Sequence, residues 1–325
     1  MKQVAELAGV STMTVSRALR SPDKVATDTL KRVEHAIDTL GYVPDLVASS
    51  LASQRSHIIA LVVPTVSSSI FDDSVQGVAD GVAAEGYQLI IGESRYSTER
   101  EEALALALLG RRPDGLVLIG TAHSARLRDR LKDAGLPVVE TWGITDDPID
   151  SVVGFSNFDA GYAMTASLLD WGYRRIAFIG GNEEPRAIAR RAGYEACLAE
   201  RAGAGTPVTA ATDGLSMRAA AEKFEALVER SPDLDAVFFA SDTFATGALF
   251  ACQRRGWAVP EKIALAGLGD FELSAEMVPA LTTVRVPRYD IGRRAAEVIL
   301  ARLNGAASEP QTIDLGFEVI RRASA

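Results

Sequence analysis

Cysteine and histidine are scarce: the 325 residues include two cysteines, Cys197 and Cys252, and three histidines, His35, His57 and His123. Both cysteines fall in helix-like stretches without disulfide or metal spacing, so they read as packing residues in a reducing cytoplasm. Histidines this far apart predict no metal site, and no cofactor is implied. No apolar run approaches the ~20 residues needed to cross a membrane. No basic-then-apolar segment opens the chain, so export is not expected. Enzyme signatures are missing too: no Gly-rich phosphate loop opens a strand–helix turn, and no nucleophile elbow occurs. A strongly basic segment is also absent. Residues 1–55 carry seven Lys/Arg and six Asp/Glu, or +1, whereas the whole chain is −9, leaving −10 on the other 270 residues. An acidic body repels phosphate, so any nucleic-acid contact must come from the head, whose charge alone does not suggest one.

What is present is an ordinary globular composition, 47% hydrophobic and 24% charged, in a length that suggests about two domains. The first ~45 residues read as three short helices. Val4, Leu7 and Ala8 share a face before Gly9, a helix stop. Ser11 suits the cap of a second helix whose inward stripe is Val15, Ala18 and Leu19. Thr27 suits the cap of a third, with Leu30, Val33, Ile37 and Leu40 inward and Gly41 at its end. "DLVASSLASQR", residues 45–55, is a weak helix candidate.

From Ile58 the pattern changes to apolar strands alternating with helices: "IIALVV", "YQLII", "GLVLIG", "PVVET", "RIAFIGG", "AVFFAS" and "IALAGL", then "LTTVRVP". Continuous apolar strands between helices predict parallel sheets covered on both faces, here in two similar α/β lobes. The expected fold is a small all-α helix-turn-helix head plus a two-lobed α/β domain with doubly wound parallel sheets.

With Val15, Ala18 and Leu19 inward, helix two presents Thr12, Met13, Ser16, Arg17 and Arg20. Hydroxyls, arginines and a methionine suit phosphates, base edges and a thymine methyl in a major groove. A plain helical hairpin with a solvated face is the alternative, and spacing leaves the two even.

"VAELAGVSTMTVSR" resembles the head of the lactose/galactose repressor (LacI/GalR) family of bacterial transcription regulators. "GYVPDLVASSLASQRSHIIALVVP" resembles that family's hinge helix and first sensor strand, and the likeness continues through "RRAGYEACL", "SDTFATGALFACQRRGWAVPEKIALAGLGDFE" and "PALTTVRVPRYDIGRRAAEVIL". The resemblance implies a DNA-binding, ligand-responsive homodimer with a periplasmic-binding-protein-like sensor. It divides the chain into a head (1–45), a hinge (46–57) and a sensor (58–325). Within the sensor, the first lobe spans about 58–156 and 287–316, and the second about 157–286 and 317–325. It makes Thr12 and Met13 the main base readers, with Thr14, Ser16, Arg17 and Arg20 around them. Leu51 becomes a hinge wedge for the minor groove, the alternative being ordinary packing. The family has several residues, a capping Ser/Thr among them, before the segment matching "QVAELAG"; here Met1 and Lys2 precede Gln3, so helix 1 is expected without a side-chain cap. The end of the chain shows no heptad tail, so a dimer is expected over a tetramer.

In open parallel sheets ligands sit beyond the carboxyl ends of the strands. The segments there supply Ser69 and Phe71, then Glu93, Thr121 and Trp142, and later Ser241, Asp242 and Asp270. Hydroxyls, carboxylates and aromatic rings suit a sugar-like effector. The resemblance adds Arg190, in "ARRAGY", as the effector-binding arginine, against a solvated arginine on an amphipathic helix. Asn157, in "VGFSNFDAG", touches ligand or starts a helix; Asp242 reads as a helix cap; Phe71 and Trp142 are plates or core. "GLGDFE", "VVETW" and "DLGFEVIRR" are most similar to the gluconate-utilisation branch, which implies gluconate or a related sugar acid, with neutral sugars and nucleosides as alternatives. A transport-type sugar-binding protein shares the two-lobe plan but lacks a DNA head.

Overall fold

A computed structural model describes every residue except Ser21, 43–54, Ser68, 182–183, 202–205, 213–214 and 307–308. The chain forms two compact units, Met1–Ser56 and His57–Ala325.

The first unit holds helices α1 (Lys2–Ala8), α2 (Thr12–Arg20) and α3 (Thr27–Leu40). Gly9 and Gly41 end α1 and α3 in left-handed conformation, φ 64° and 55°, where a Cβ would be strained. Ser11 Oγ accepts from Thr14 N at 3.1 Å, capping α2 as its position predicts. At α3 the expectation shifts by one residue: Ala26 is the N-cap and Thr27 the first helical residue, with no side-chain cap. The core is Val4, Ala5, Ala8, Val15, Ala18, Val33 and Ala36. Leu7, Leu19 and Leu40, expected inward, are instead 52%, 38% and 43% exposed. Helices of 7, 9 and 14 residues cannot enclose more than this small cluster, so leucines at the stripe edges stay outside.

The second unit is built on two six-stranded sheets. The first has the order β11-β5-β4-β3-β1-β2, all parallel. Its strands are β1 (Ile58–Val63), β2 (Gln88–Glu93), β3 (Gly115–Ile119), β4 (Val138–Thr141), β5 (Ser151–Gly154) and β11 (Thr312–Asp314). The second runs β12-β10-β9-β8-β6-β7, parallel except for the edge pairing of β12 with β10. It contains β6 (Ile176–Gly181), β7 (Val208–Thr212), β8 (Ala236–Phe239), β9 (Ala264–Gly269), β10 (Thr282–Arg285) and β12 (Glu318–Ile320). β3, β4, β8 and β9 are buried along their whole length, the apolar-run signature of a sheet covered on both faces.

The chain passes between the sheets three times, after β5, after β10 and between β11 and β12. Phe155 in the first crossing meets Phe317 in the third edge-to-face, 6.5 Å between ring centroids. Leu315 N donates to Gly154 O at 2.8 Å, tying the same two segments together.

One helix pair in each half crosses at reciprocal glycines. α4 (Asp72–Ala83) meets α12 (Arg288–Leu303) at Gly77 and Gly292, and α7 (Asn157–Asp170) meets α8 (Pro185–Glu200) at Gly161 and Gly193. A Cβ on any of the four would collide with the backbone of the facing helix, and at Gly161 the obstacle is the carbonyl of Arg190. The crossing therefore fixes where Arg190 stands.

Candidate functional site

On the head, α2 buries Val15 and Ala18 and turns Thr12, Met13 and Arg17 outward; Met13 is 72% exposed. Thr14 and Ser16 are half-buried, and Thr14 Oγ1 bonds Ser11 Oγ at 2.9 Å. The Arg20 side chain, Leu51 and the proposed hinge helix lie outside the described residues.

In the second unit two adjoining cavities open at the carboxyl ends of the strands, about 520 and 860 Å³. Ser69, Arg190 and Ser241 line the smaller, and Asn157 and Thr121 the larger. Ser241 is the N-cap of α10 (Asp242–Arg255) but makes no side-chain capping bond. Arg190 is 2% exposed; its Nε donates to Asn157 Oδ1 at 2.8 Å and its Nη1 to Ala240 O at 2.6 Å. Burial pushes its pKa down to about 10, with Glu184 opposing that fall and Arg186 adding to it. Asn157 Nδ2 donates to Trp142 O at 2.8 Å, so one amide links the arginine to the first sheet.

Four expected ligand residues stand elsewhere. Phe71 and Trp142 do not line the cavities but lie fully buried beneath them, edge-to-face with ring centroids 4.9 Å apart. Trp142 Nε1 donates to Ser74 Oγ at 2.9 Å, so the indole is a satisfied core group. Glu93 accepts from Val66 N at 3.1 Å and pairs with Arg95 at 3.0 Å, and these contacts hold its carboxyl below the usual range. It braces the loop after β1 and faces neither cavity. Asp270 is gripped at 2.7 Å by both Arg285 and Arg322, which use its two oxygens.

Asp242 does not cap α10. Its buried carboxylate accepts from Thr283 Oγ1 at 2.6 Å, Ser274 Oγ at 2.7 Å and Phe271 N at 3.2 Å, and burial raises its pKa despite these bonds. It binds β10 to the turn after β9.

Residues the sequence reading passed over complete the smaller cavity. Arg186, Glu184 and Tyr96 line both cavities and form their shared wall. The missed signal was spacing: Arg186 lies four residues before Arg190 and therefore on the same helix face.

Residues 1–45 match the model for bacterial regulatory proteins of the lacI family, and residues 165–325 the periplasmic binding protein-like domain. The transcriptional regulator GntR of Pseudomonas aeruginosa is 36% identical over 328 residues, covering 100% of this chain and 95% of that protein. This chain is a LacI-family transcriptional regulator. The crystal structure of a LacI-family regulator from Silicibacter pomeroyi superposes on it with a TM-score of 0.91 at 34% identity, covering 99% and 98% of the two chains. A complex of the regulator CelR with cellobiose is 30% identical, covers 100% and 99%, and gives a TM-score of 0.73. The LacI-family regulator is thus a ligand-responsive transcriptional repressor, not an enzyme, with a helix-turn-helix head and a two-lobed sensor. Among the described residues no helix is long and apolar enough to cross a membrane.

Proposed function

We propose that this regulator is a cytoplasmic homodimer that binds a near-palindromic operator and is released by gluconate or a related sugar acid. Thr12, Met13 and Arg17 would read the major groove, with Thr14, Ser16 and Arg20 at its walls and Leu51 wedging the minor groove from the hinge. The effector would sit between the lobes against Ser69, Asn157, Arg190 and Ser241. The observation that carries this reading is the smaller cavity, where hydroxyls and two arginines converge in about 520 Å³. That volume is within the ordinary range for a small-molecule site. Support for an acid over a neutral sugar also comes from the likeness of "GLGDFE" and "DLGFEVIRR" to the gluconate-utilisation branch.

Release requires that the effector bind one lobe arrangement more tightly than the other. A 10-fold drop in operator affinity corresponds to ~1.4 kcal/mol of coupling. Titration calorimetry with gluconate, glucose and a panel of sugar acids and nucleosides, paired with operator binding by fluorescence anisotropy, tests the proposal. Gluconate is expected to bind and release DNA. No binding to any sugar acid, or binding without a change in operator affinity, would sink it.

A further inference from the structure

We propose that Arg186 is the residue that selects an acid ligand, its guanidinium taking the ligand's carboxylate in the smaller cavity while Arg190 holds the site's frame. This deepens the sugar-acid reading and rests on it. Arg186 is the second residue of α8 and only 8% exposed. Its Nε donates to Glu184 Oε1 at 2.5 Å, and its guanidinium carbon stands 5.0 Å from the Phe71 ring centroid. The ring and the carboxylate fix the plane of the fork. Nη1 is buried and has no hydrogen-bond partner. An unmet donor on a buried cation is costly, and a ligand oxygen removes that cost. Arg190 differs, since Asn157 and the Ala240 carbonyl already occupy two of its three nitrogens.

Charge decides where an acid group goes. Among the described lining residues, the smaller cavity has Arg186 and Arg190 against Glu184, a net of +1. The larger has Arg186 against Glu101, Asp159, Glu184 and Asp314, a net of −3. Glu184 stays ionised: burial opposes its charge, but Arg186 and Arg190 hold its carboxyl below the usual range. A single carboxylate neutralises the smaller cavity and is repelled by the larger one, which leaves the hydroxylated end of the chain to reach toward Asn157 and Thr121. Tyr96, at the junction and 39% exposed, offers a neutral hydroxyl to either end.

The test compares gluconate with gluconamide, the same chain without the charge, by calorimetry on the full-length protein, Arg186→Gln and Arg186→Lys. The wild type is expected to prefer gluconate. Arg186→Gln should lose roughly 10- to 100-fold in gluconate affinity. Its gluconamide affinity should stay within about threefold. Arg186→Lys should recover part of the loss, because it keeps the charge without the planar fork. Should Arg186→Gln fail to fold, Arg186→Lys still reads the effect as a reduced gluconate preference. Equal gluconate binding by the wild type and Arg186→Gln overturns this inference and leaves the sugar-acid reading standing. So does an equal loss of both ligands with an unchanged melting temperature. A wild type that binds no sugar acid overturns both.

Discussion

His123 lies wholly buried in the first lobe, its Nδ1 2.8 Å from Glu101 and its Nε2 3.2 Å from the Gly120 carbonyl and 3.5 Å from Glu140. Glu140 is fully buried as well, and its Oε1 makes no hydrogen bond. Burial alone would lower the imidazole's pKa, but the hydrogen bond to Glu101 and the charges of Glu101 and Glu140 outweigh it and raise the pKa from 6.5 to about 9. A proton held more tightly in the folded state than in the unfolded one stabilises the fold in full below the unfolded pKa. That contribution fades as pH rises through about 9. His123→Gln is therefore expected to lose ~3–5 kcal/mol near neutrality, since it removes the buried cation that stands between Glu101 and Glu140. It should also lack the alkaline decline of the wild type. Urea midpoints measured from weakly acidic to alkaline pH check both points, and a variant that still follows the wild-type decline refutes the assignment. Nothing in the sequence marked this histidine, because its partners lie 22 residues upstream and 17 downstream.

At the scale of elements, the α7–α8 crossing does the positioning. Gly161 faces the Arg190 carbonyl at closest approach, so Gly161→Ala must push α8 away from α7 and carry Arg190 with it. The expected cost is ~1–3 kcal/mol of stability, from overpacking. Gluconate affinity should fall by about tenfold, because Arg190 then leaves Asn157. Thermal melts and calorimetry on the same preparation check this; unchanged ligand affinity would mean the crossing is structural only. Elements were legible wherever pattern and length agreed. "IIALVV" became β1 to the residue, and the fully buried strands stood out as continuous apolar runs. β5, β7, β11 and β12 escaped notice because runs of three to five residues, mostly at sheet edges, carry too little periodicity. The cleft was half legible. Strand ends named Ser69 and Ser241, and the family resemblance named Arg190; all three line the smaller cavity, but strand-end position alone does not separate a cavity wall from its foundation. Phe71, Trp142, Glu93 and Asp270 each lie at or beyond a strand end and spend their polar or aromatic surface on a neighbour.

For the whole molecule, the two compact units predict separable functions. Removing residues 1–56 should leave gluconate affinity within about twofold. It should abolish operator binding. Calorimetry and anisotropy on the shortened protein check this, and a large loss of ligand affinity would show that the head helps build the effector site. Saturating gluconate should in turn stabilise the sensor by about 2.7 kcal/mol at one hundred times the dissociation constant.

The three crossings between the sheets set how that sensor can respond. Two bodies joined by a single strand of chain can swivel freely; three connections, with Phe155 against Phe317 across two of them, leave fewer relative motions open to the lobes. Whatever energy a bound effector supplies is thereby spread over fewer motions. The same triple connection makes the molecule tolerant of injury, since a protease nick in any one crossing would leave the two lobes still joined by the other two.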